Sequence, residues 1–217
     1  PPGSPSARAI TESYNGSSWT EVADLNTGRW IAAGFGTQTS AVNSCGCTSD
    51  SSNFTAEAET WNGSSWTAAP DVNTTRRSYG ASGASSTSGL MFGGRNVPAY
   101  FAVTESWDGS SWTEVGDLNT ARAYMAGNGT QTSAVTASGL APSPTTVSET
   151  WNGSSWTEIT ELSTARHDAS MFGSGNTDAI ISGGAPNPKA LTEYWDGSSW
   201  TEVADRASAM NAGAGSG

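Results

Sequence analysis

The sequence predicts an all-β fold made from one four-stranded unit used repeatedly, and three observations predict it. The segment "ETWNGSSWT" begins at Glu59, all but returns at Glu149, and has near copies around Tyr14, Trp107 and Trp195. Only 13% of the 217 residues are charged, and long-chain helix formers such as Leu, Lys and Gln are scarce beside Ser, Thr and Gly. That mix suits short strands joined by tight turns. The second Trp of each copy falls at Trp19, Trp66, Trp112, Trp156 and Trp200, at spacings of 47, 46, 44 and 44. Periods of about 40 to 50 holding four strand-like runs are the signature of propeller blades.

The unit that starts at Arg29 shows the order of elements. "RWIAAGFG" is a small-residue run suited to an inner strand, "TQT" turns, and "SAVNSCG" returns as a second strand. A variable loop, "CTSDSSNFT", follows; "AEAETW" makes the third strand, "NGSS" the hairpin and "SWTAAP" the outermost strand. The unit from Arg122 repeats this order and copies "GTQTSAV" of 36–42 at 129–135. Asn-Gly and Asp-Gly favour two-residue hairpins because both residues tolerate positive φ. Asp108 and Asp196 replace the Asn15, Asn62 and Asn152 of other units, as expected if the side chain serves the turn. Flanking aromatics such as Trp61 and Trp66 are expected to pack between blades, which must bury both faces.

The expected fold is therefore a single domain over 1–217, a five-bladed β-propeller. Four blades span approximately 27–72, 73–118, 119–162 and 163–206, and the fifth is shared between the termini, 207–217 plus 1–26. Within that fifth blade "NAGAGSG" at 211–217 aligns with the first strand, and Met210 falls where other units carry Arg. Its second strand has no counterpart in the sequence, which leaves further residues, another chain or a three-stranded blade as alternatives. An open edge invites strand addition.

Two charges recur with the repeat. Glu12, Glu59, Glu105, Glu149 and Glu193 stand two residues before the first aromatic of each unit, and Arg29, Arg76, Arg122 and Arg166 close the "NTxR" or "STAR" segments. Equal stoichiometry at fixed positions predicts a structural Glu–Arg pair in or between blades.

These residues resemble the kelch repeat. A glycine doublet appears in "MFGGR" at 91–95 and "ISGGA" at 181–185, while "TESYNGSSW" and "LNTGR" supply the Glu-x-aromatic element, the spaced Trp and the closing Arg. The doublet is broken at "NSCGC" and "TASGL", so the resemblance is to a divergent kelch-like propeller. The "NGSSWT" and "GTQTSA" repeats are also similar to those of marine phage tail and virion-surface proteins.

A net charge of −11 with nine scattered basic residues argues against nucleic-acid backbones. No apolar run approaches the roughly 18 residues that cross a bilayer. A Ser–His–Asp system would have to use His167, the single His, which stands where other units carry Trp30, Arg77 and Ala123 and so reads as a blade-edge residue, and a multi-histidine copper site needs more than one His. Cys45 and Cys47, in a Cys-Gly-Cys unit, form either a disulfide or free thiols, and with His167 they do not complete a four-ligand zinc site. The carboxylates are repeated, whereas a glycosidase singles out one pair. "SWDGSSW" at 106–112 comes close to an Asp-box but lacks the residue between Asp and Gly, and "TEVGDL" lacks the alternation of an EF-hand loop. No phosphate-binding loop is formed by the glycines, which follow strands rather than precede a helix. No metal and no cofactor are expected.

Asn-x-Ser/Thr occurs at Asn15, Asn53, Asn62, Asn73, Asn128 and Asn152, and Asn53, in a variable loop, is the best glycan acceptor. The expectation for function is a non-enzymatic structural or adhesive propeller, extracellular or on a virion surface. Its partners would be copies of itself or other fibre or virion proteins. The alternative is a multivalent glycan-binding module, in which weak repeated sites gain by avidity. Candidate contacts for sugar faces are Trp30, which has no counterpart in other units, with Tyr100 and Phe101 and the loop around Pro142.

Overall fold

The computed structural model describes residues 7–48 and 53–211. All its regular structure is strand: β1 (Glu12–Tyr14), β2 (Trp19–Glu21), β3 (Ala33–Thr37), β4 (Ser40–Ser44), β5 (Ala58–Trp61), β6 (Trp66–Ala69), β7 (Gly80–Ser85), β8 (Ser88–Phe92), β9 (Arg95–Asn96) and β10 (Ala99–Tyr100). There follow β11 (Thr104–Trp107), β12 (Trp112–Val115), β13 (Ala126–Gly129), β14 (Ala134–Ala137), β15 (Ser148–Trp151), β16 (Trp156–Glu158), β17 (Ser170–Gly175), β18 (Asp178–Ser182), β19 (Thr192–Trp195) and β20 (Trp200–Glu202). They form four antiparallel four-stranded sheets, β3-β4-β5-β6, β7-β8-β11-β12, β13-β14-β15-β16 and β17-β18-β19-β20, and the two-stranded pairs β1-β2 and β9-β10. The first strands β3, β7, β13 and β17 pack side by side in that order, and together they line a cavity of about 160 Å³. This radial arrangement is compatible with a β-propeller.

The repeated hairpin has one geometry throughout. The Oδ1 of Asn62 accepts the backbone N–H of Ser64 and Ser65, each at 2.9 Å, and that of Asp108 accepts those of Ser110 and Ser111, each at 2.8 Å. The glycines between them hold φ near +94°, a region costly for any side chain with a Cβ. An Asn or Asp that folds back on the next two amides is an Asx turn, so either residue serves.

The Trp pairs hold neighbouring sheets together. Trp61, Trp107, Trp151 and Trp195 are buried, and each indole N–H donates to a carbonyl in the turn between the first two strands, that of Gln38, Ser86, Gln131 or Asn176. The second Trp lies 5.1–5.4 Å from the first in all four sheets and reaches the preceding unit. Trp112 meets Phe35 edge-on at 6.3 Å, Trp156 meets Phe92 at 4.8 Å, and its indole N–H donates to Thr104 at 3.0 Å. Trp66 donates in the same way to Thr11 at 3.1 Å, which places β1-β2 before the first sheet as β11-β12 stands before the third. The packing expected of these aromatics is present.

The Glu–Arg pairs are present too. Arg29–Glu59 (2.8 Å), Arg76–Glu105 (2.7 Å), Arg122–Glu149 and Arg166–Glu193 (2.9 Å) join the segment entering each sheet to that sheet's third strand, and all eight side chains are essentially buried. The glutamates also accept the backbone N–H and side-chain amide of Asn26, Asn73 or Asn119; Glu193 receives only the Ser163 N–H of this set. Burial pushes the Arg76, Arg122 and Arg166 guanidiniums below the usual arginine range, and their glutamates oppose it. At Glu59 burial acts upward, but the Asn26 and Thr27 donors and the Arg29 charge together bring the carboxyl below its ordinary range.

The Cys45–Cys47 disulfide is not formed; both side chains are buried, and burial pushes the Cys45 thiol up to about 11. Met210 takes the place of the missing arginine, as the alignment has it: it exchanges backbone hydrogen bonds with Lys189 much as Arg29 does with Arg8. The first strand expected over 211–217 lies, beyond Asn211, outside the described residues, as does the loop segment 1–6.

Candidate functional site

In an antiparallel meander, alternate connections leave at opposite ends. The turns between first and second strands share one end with the Asn-Gly and Asp-Gly hairpins. The connections between second and third strands, and those from one sheet to the next, share the other. Sequence differences between units concentrate at this second end. Trp30, Arg77, Ala123 and His167 occupy equivalent positions there, opposite Cys47, Arg95, Leu140 and Ala185 in four isolated bridges.

The residues that follow, Ile31, Ser78, Tyr124 and Asp168, all adopt φ of +53° to +58°. None is glycine, so each carries backbone strain of about 1 kcal/mol or more. The same bend in each unit turns the chain into its inner strand, and the bends are tied together: the Tyr124 N–H donates to Ser78 O at 2.7 Å and the Asp168 N–H to Tyr124 O at 2.9 Å. They surround an opening of about 370 Å³ with Ala32, Tyr79, Met125 and Ala169.

Around this mouth the side chains differ from unit to unit. Arg77 stacks on Phe54 at 5.4 Å, and Arg95 lies over Tyr100 at 4.9 Å and Tyr124 at 5.9 Å. Tyr124 faces His167 at 6.0 Å, and His167 Nδ1 is 2.9 Å from an Asp168 carboxylate oxygen. Among the described residues the His167 ring's hydrogen bond goes to the Asp168 carboxylate.

The expected sugar contacts divide. Tyr100 takes part in the mouth cluster through Arg95, and the next residue, Phe101, is half-buried with its backbone bonded to Gly94 and Arg122. Trp30 stands on the first sheet at the same end, its backbone paired to Cys47 and its indole N–H buried without an acceptor. Pro142 lies at this end, in the connection after β14. Of the sequons, Asn15, Asn62 and Asn152 are occupied with their own turns; Asn73 serves Glu105, and Asn128 lies in β13 with its amide toward Gly175 O at 3.5 Å. Asn53 is exposed in the connection after β4. Arg77, Arg95, Tyr124 and Asp168 were not singled out by sequence reasoning. The available signal was that the two positions after the repeated Arg differ in every unit, whereas the Arg before them does not.

Fold and site together define an all-β protein of four blade-like sheets with an opening where the bends into their first strands meet. No protein-family model and no curated protein matches the chain. Among solved structures it is similar to one titled "Structure of YjhT", with a TM-score of 0.73 and 12% sequence identity over 90% of this chain and 75% of that one. At that identity the likeness concerns the fold.

Proposed function

We propose that this chain is a non-enzymatic recognition and structural module: a five-bladed, divergent kelch-like propeller on an extracellular fibre, virion or cell surface. It presents a ligand-binding mouth to glycans. The observation that carries the reading is the asymmetry between its ends, with repeated hairpins at one and the cluster of Phe54, Arg77, Arg95, Tyr100, Tyr124, His167 and Asp168 at the other. Loops on a rigid scaffold are where binding groups collect. Aromatic rings offer flat faces to sugar rings, and Asp168, His167 and the strained backbone offer polar partners. Glu59, Glu105, Glu149 and Glu193 are committed to arginines, and no carboxylate pair is singled out among the repeated glutamates, which supports a binding role over hydrolysis.

Trp30 and Tyr100 make the test direct. Saccharides that bind should shift tryptophan emission, and Trp30→Ala or Tyr100→Ala should weaken the best ligand by about tenfold, as anchor truncation does. Saturable binding untouched by either substitution would place the site elsewhere and overturn the mouth as its location. No binding across a broad glycan array would overturn the reading itself.

A second reading, self-association, is favoured by a specific observation. Trp19 is 66% exposed, whereas its counterparts Trp112 and Trp156 are 7% and 5% exposed.

A further inference from the structure

We infer that Arg77 and Arg95 form an oxyanion subsite beside the mouth, for a sulfate, carboxylate or phosphate group. The inference rests on the recognition reading and names the chemistry of its ligand.

Seven of the nine basic residues are repeated elements or lie elsewhere, and the four repeated arginines are locked to glutamates. Arg77 and Arg95 differ. Their backbones exchange two hydrogen bonds, Arg77 N–H to Arg95 O at 3.0 Å and Arg95 N–H to Arg77 O at 2.9 Å. Residues paired in this way project on the same side of the ladder, about 5.5 Å apart at Cα. Like charges directly opposite repel, yet among the described residues neither guanidinium has a carboxylate within 4.0 Å or a hydrogen-bond acceptor.

Arg77 is only 8% exposed, and the Nε of both residues is buried without a partner. Aromatic rings lie against each guanidinium, Phe54 at 5.4 Å from Arg77 Cζ, and Tyr100 at 4.9 Å and Tyr124 at 5.9 Å from Arg95 Cζ. Such rings attract the cation but offer its N–H groups no strong acceptor. Two adjacent forks are suited to the several oxygens of one oxyanion. The pair is unique to the second sheet: its counterparts are Trp30 with Cys47, Ala123 with Leu140 and His167 with Ala185. Tyr124, under Arg95, also lines the opening, so an anion held here reaches the mouth.

The experiment is a calorimetric titration with sodium sulfate, with a sulfated oligosaccharide and with its unsulfated counterpart, at constant ionic strength, on the full chain and on Arg95→Gln and Arg77→Gln. Expected is binding of sulfate that each substitution weakens by roughly tenfold, the scale of a hydrogen bond to a charged group, and a shift of the Arg77 and Arg95 Nε resonances on sulfate addition. Stronger binding of the sulfated than of the neutral sugar makes a saccharide the source; sulfate binding alone with equal sugars makes it a free anion. Should Arg77→Gln fail to fold, the more exposed Arg95 decides the matter. Sulfate without effect on either resonance overturns the subsite, while neutral-sugar binding in that case leaves the recognition reading standing.

Discussion

Arg76 and Glu105 are both without solvent contact and 2.7 Å apart. Placing two charges where water cannot reach is costly, and the pair offsets that cost only while both partners remain. Glu105→Gln is therefore expected to lose about 3–5 kcal/mol of stability in denaturant titration. Glu12 holds the same repeat position but is exposed and has no ion pair among the described residues. Its change to Gln should cost no more than about 0.5 kcal/mol; equal losses at the two sites would show that the ion pair is not what Glu105 contributes. Asp108 and Asp196 act through their turns: hydrogen bonds from the Ser110 and Ser198 hydroxyls, with the following amides, hold each carboxyl at about 2 against an ordinary 3.8. Between those values the unfolded chain binds more protons than the folded one, so the contribution is present above about pH 4 and fades as pH falls toward 2. The Asp108→Asn/Asp196→Asn double variant should match the parent at pH 7, since Asn62 makes the same turn, and lose stability less steeply on acidification below pH 4. An unchanged acid slope would show that these turns are not the titrating elements.

Between elements the decisive quantity is how closely sheets approach. A Cβ on Gly89, in β8, would stand 2.0 Å from the Phe35 ring of the neighbouring sheet, and one on Gly127, in β13, 2.5 Å from Phe92. Glycines in β8 and β13 thus make room for one large ring at each of these two interfaces. Overpacking a core by one methyl typically costs about 1–3 kcal/mol, so Gly89→Ala should lower thermal stability by that amount, and Gly89→Ala with Phe35→Leu should recover part of it. A neutral Gly89→Ala would mean that the sheets separate more easily than this contact implies. Much at this scale was legible in the sequence, because each feature recurs: the Asx hairpins, the paired tryptophans and the registered Glu–Arg positions were written four or five times. The mouth was not. Arg77 and Arg95 are far apart along the chain and each occurs once, so only a bridge between two connections brings them together. The strained bend at Ile31, Ser78, Tyr124 and Asp168 has no common residue type to betray it.

At the scale of the whole molecule the two flanks of the row of four sheets differ. β1-β2 docks on the first sheet through Gln38, whose amide reaches Ser13 and Tyr14, and through Trp66 on Thr11. On the far side of the fourth sheet a groove of about 540 Å³ is lined by Phe172, Ile180, Thr192, Val203 and Arg206 among others. Thr192 is the counterpart of Thr11 and Thr104, the residues that receive the second Trp of the next unit. Trp19 is that Trp for the fifth unit, and it remains largely exposed. Arg206 stands where Val72, Leu118 and Leu162 are buried, so this wall is less apolar than the others. A second copy of the chain can supply both an aromatic for the groove and strands for the side of β1-β2 that has no partner among the described residues, which is strand addition between identical partners. Native mass spectrometry of the chain should then show dimers or larger species, and Trp19→Ser should shift them toward monomer while leaving the stability of the four complete sheets unchanged. A wild-type monomer at all concentrations, with Trp19 protected from quenching, would mean that the groove is filled from within the same chain. Assembly would then fall as a reading, and the test would pass to the mouth proposed above as a binding surface.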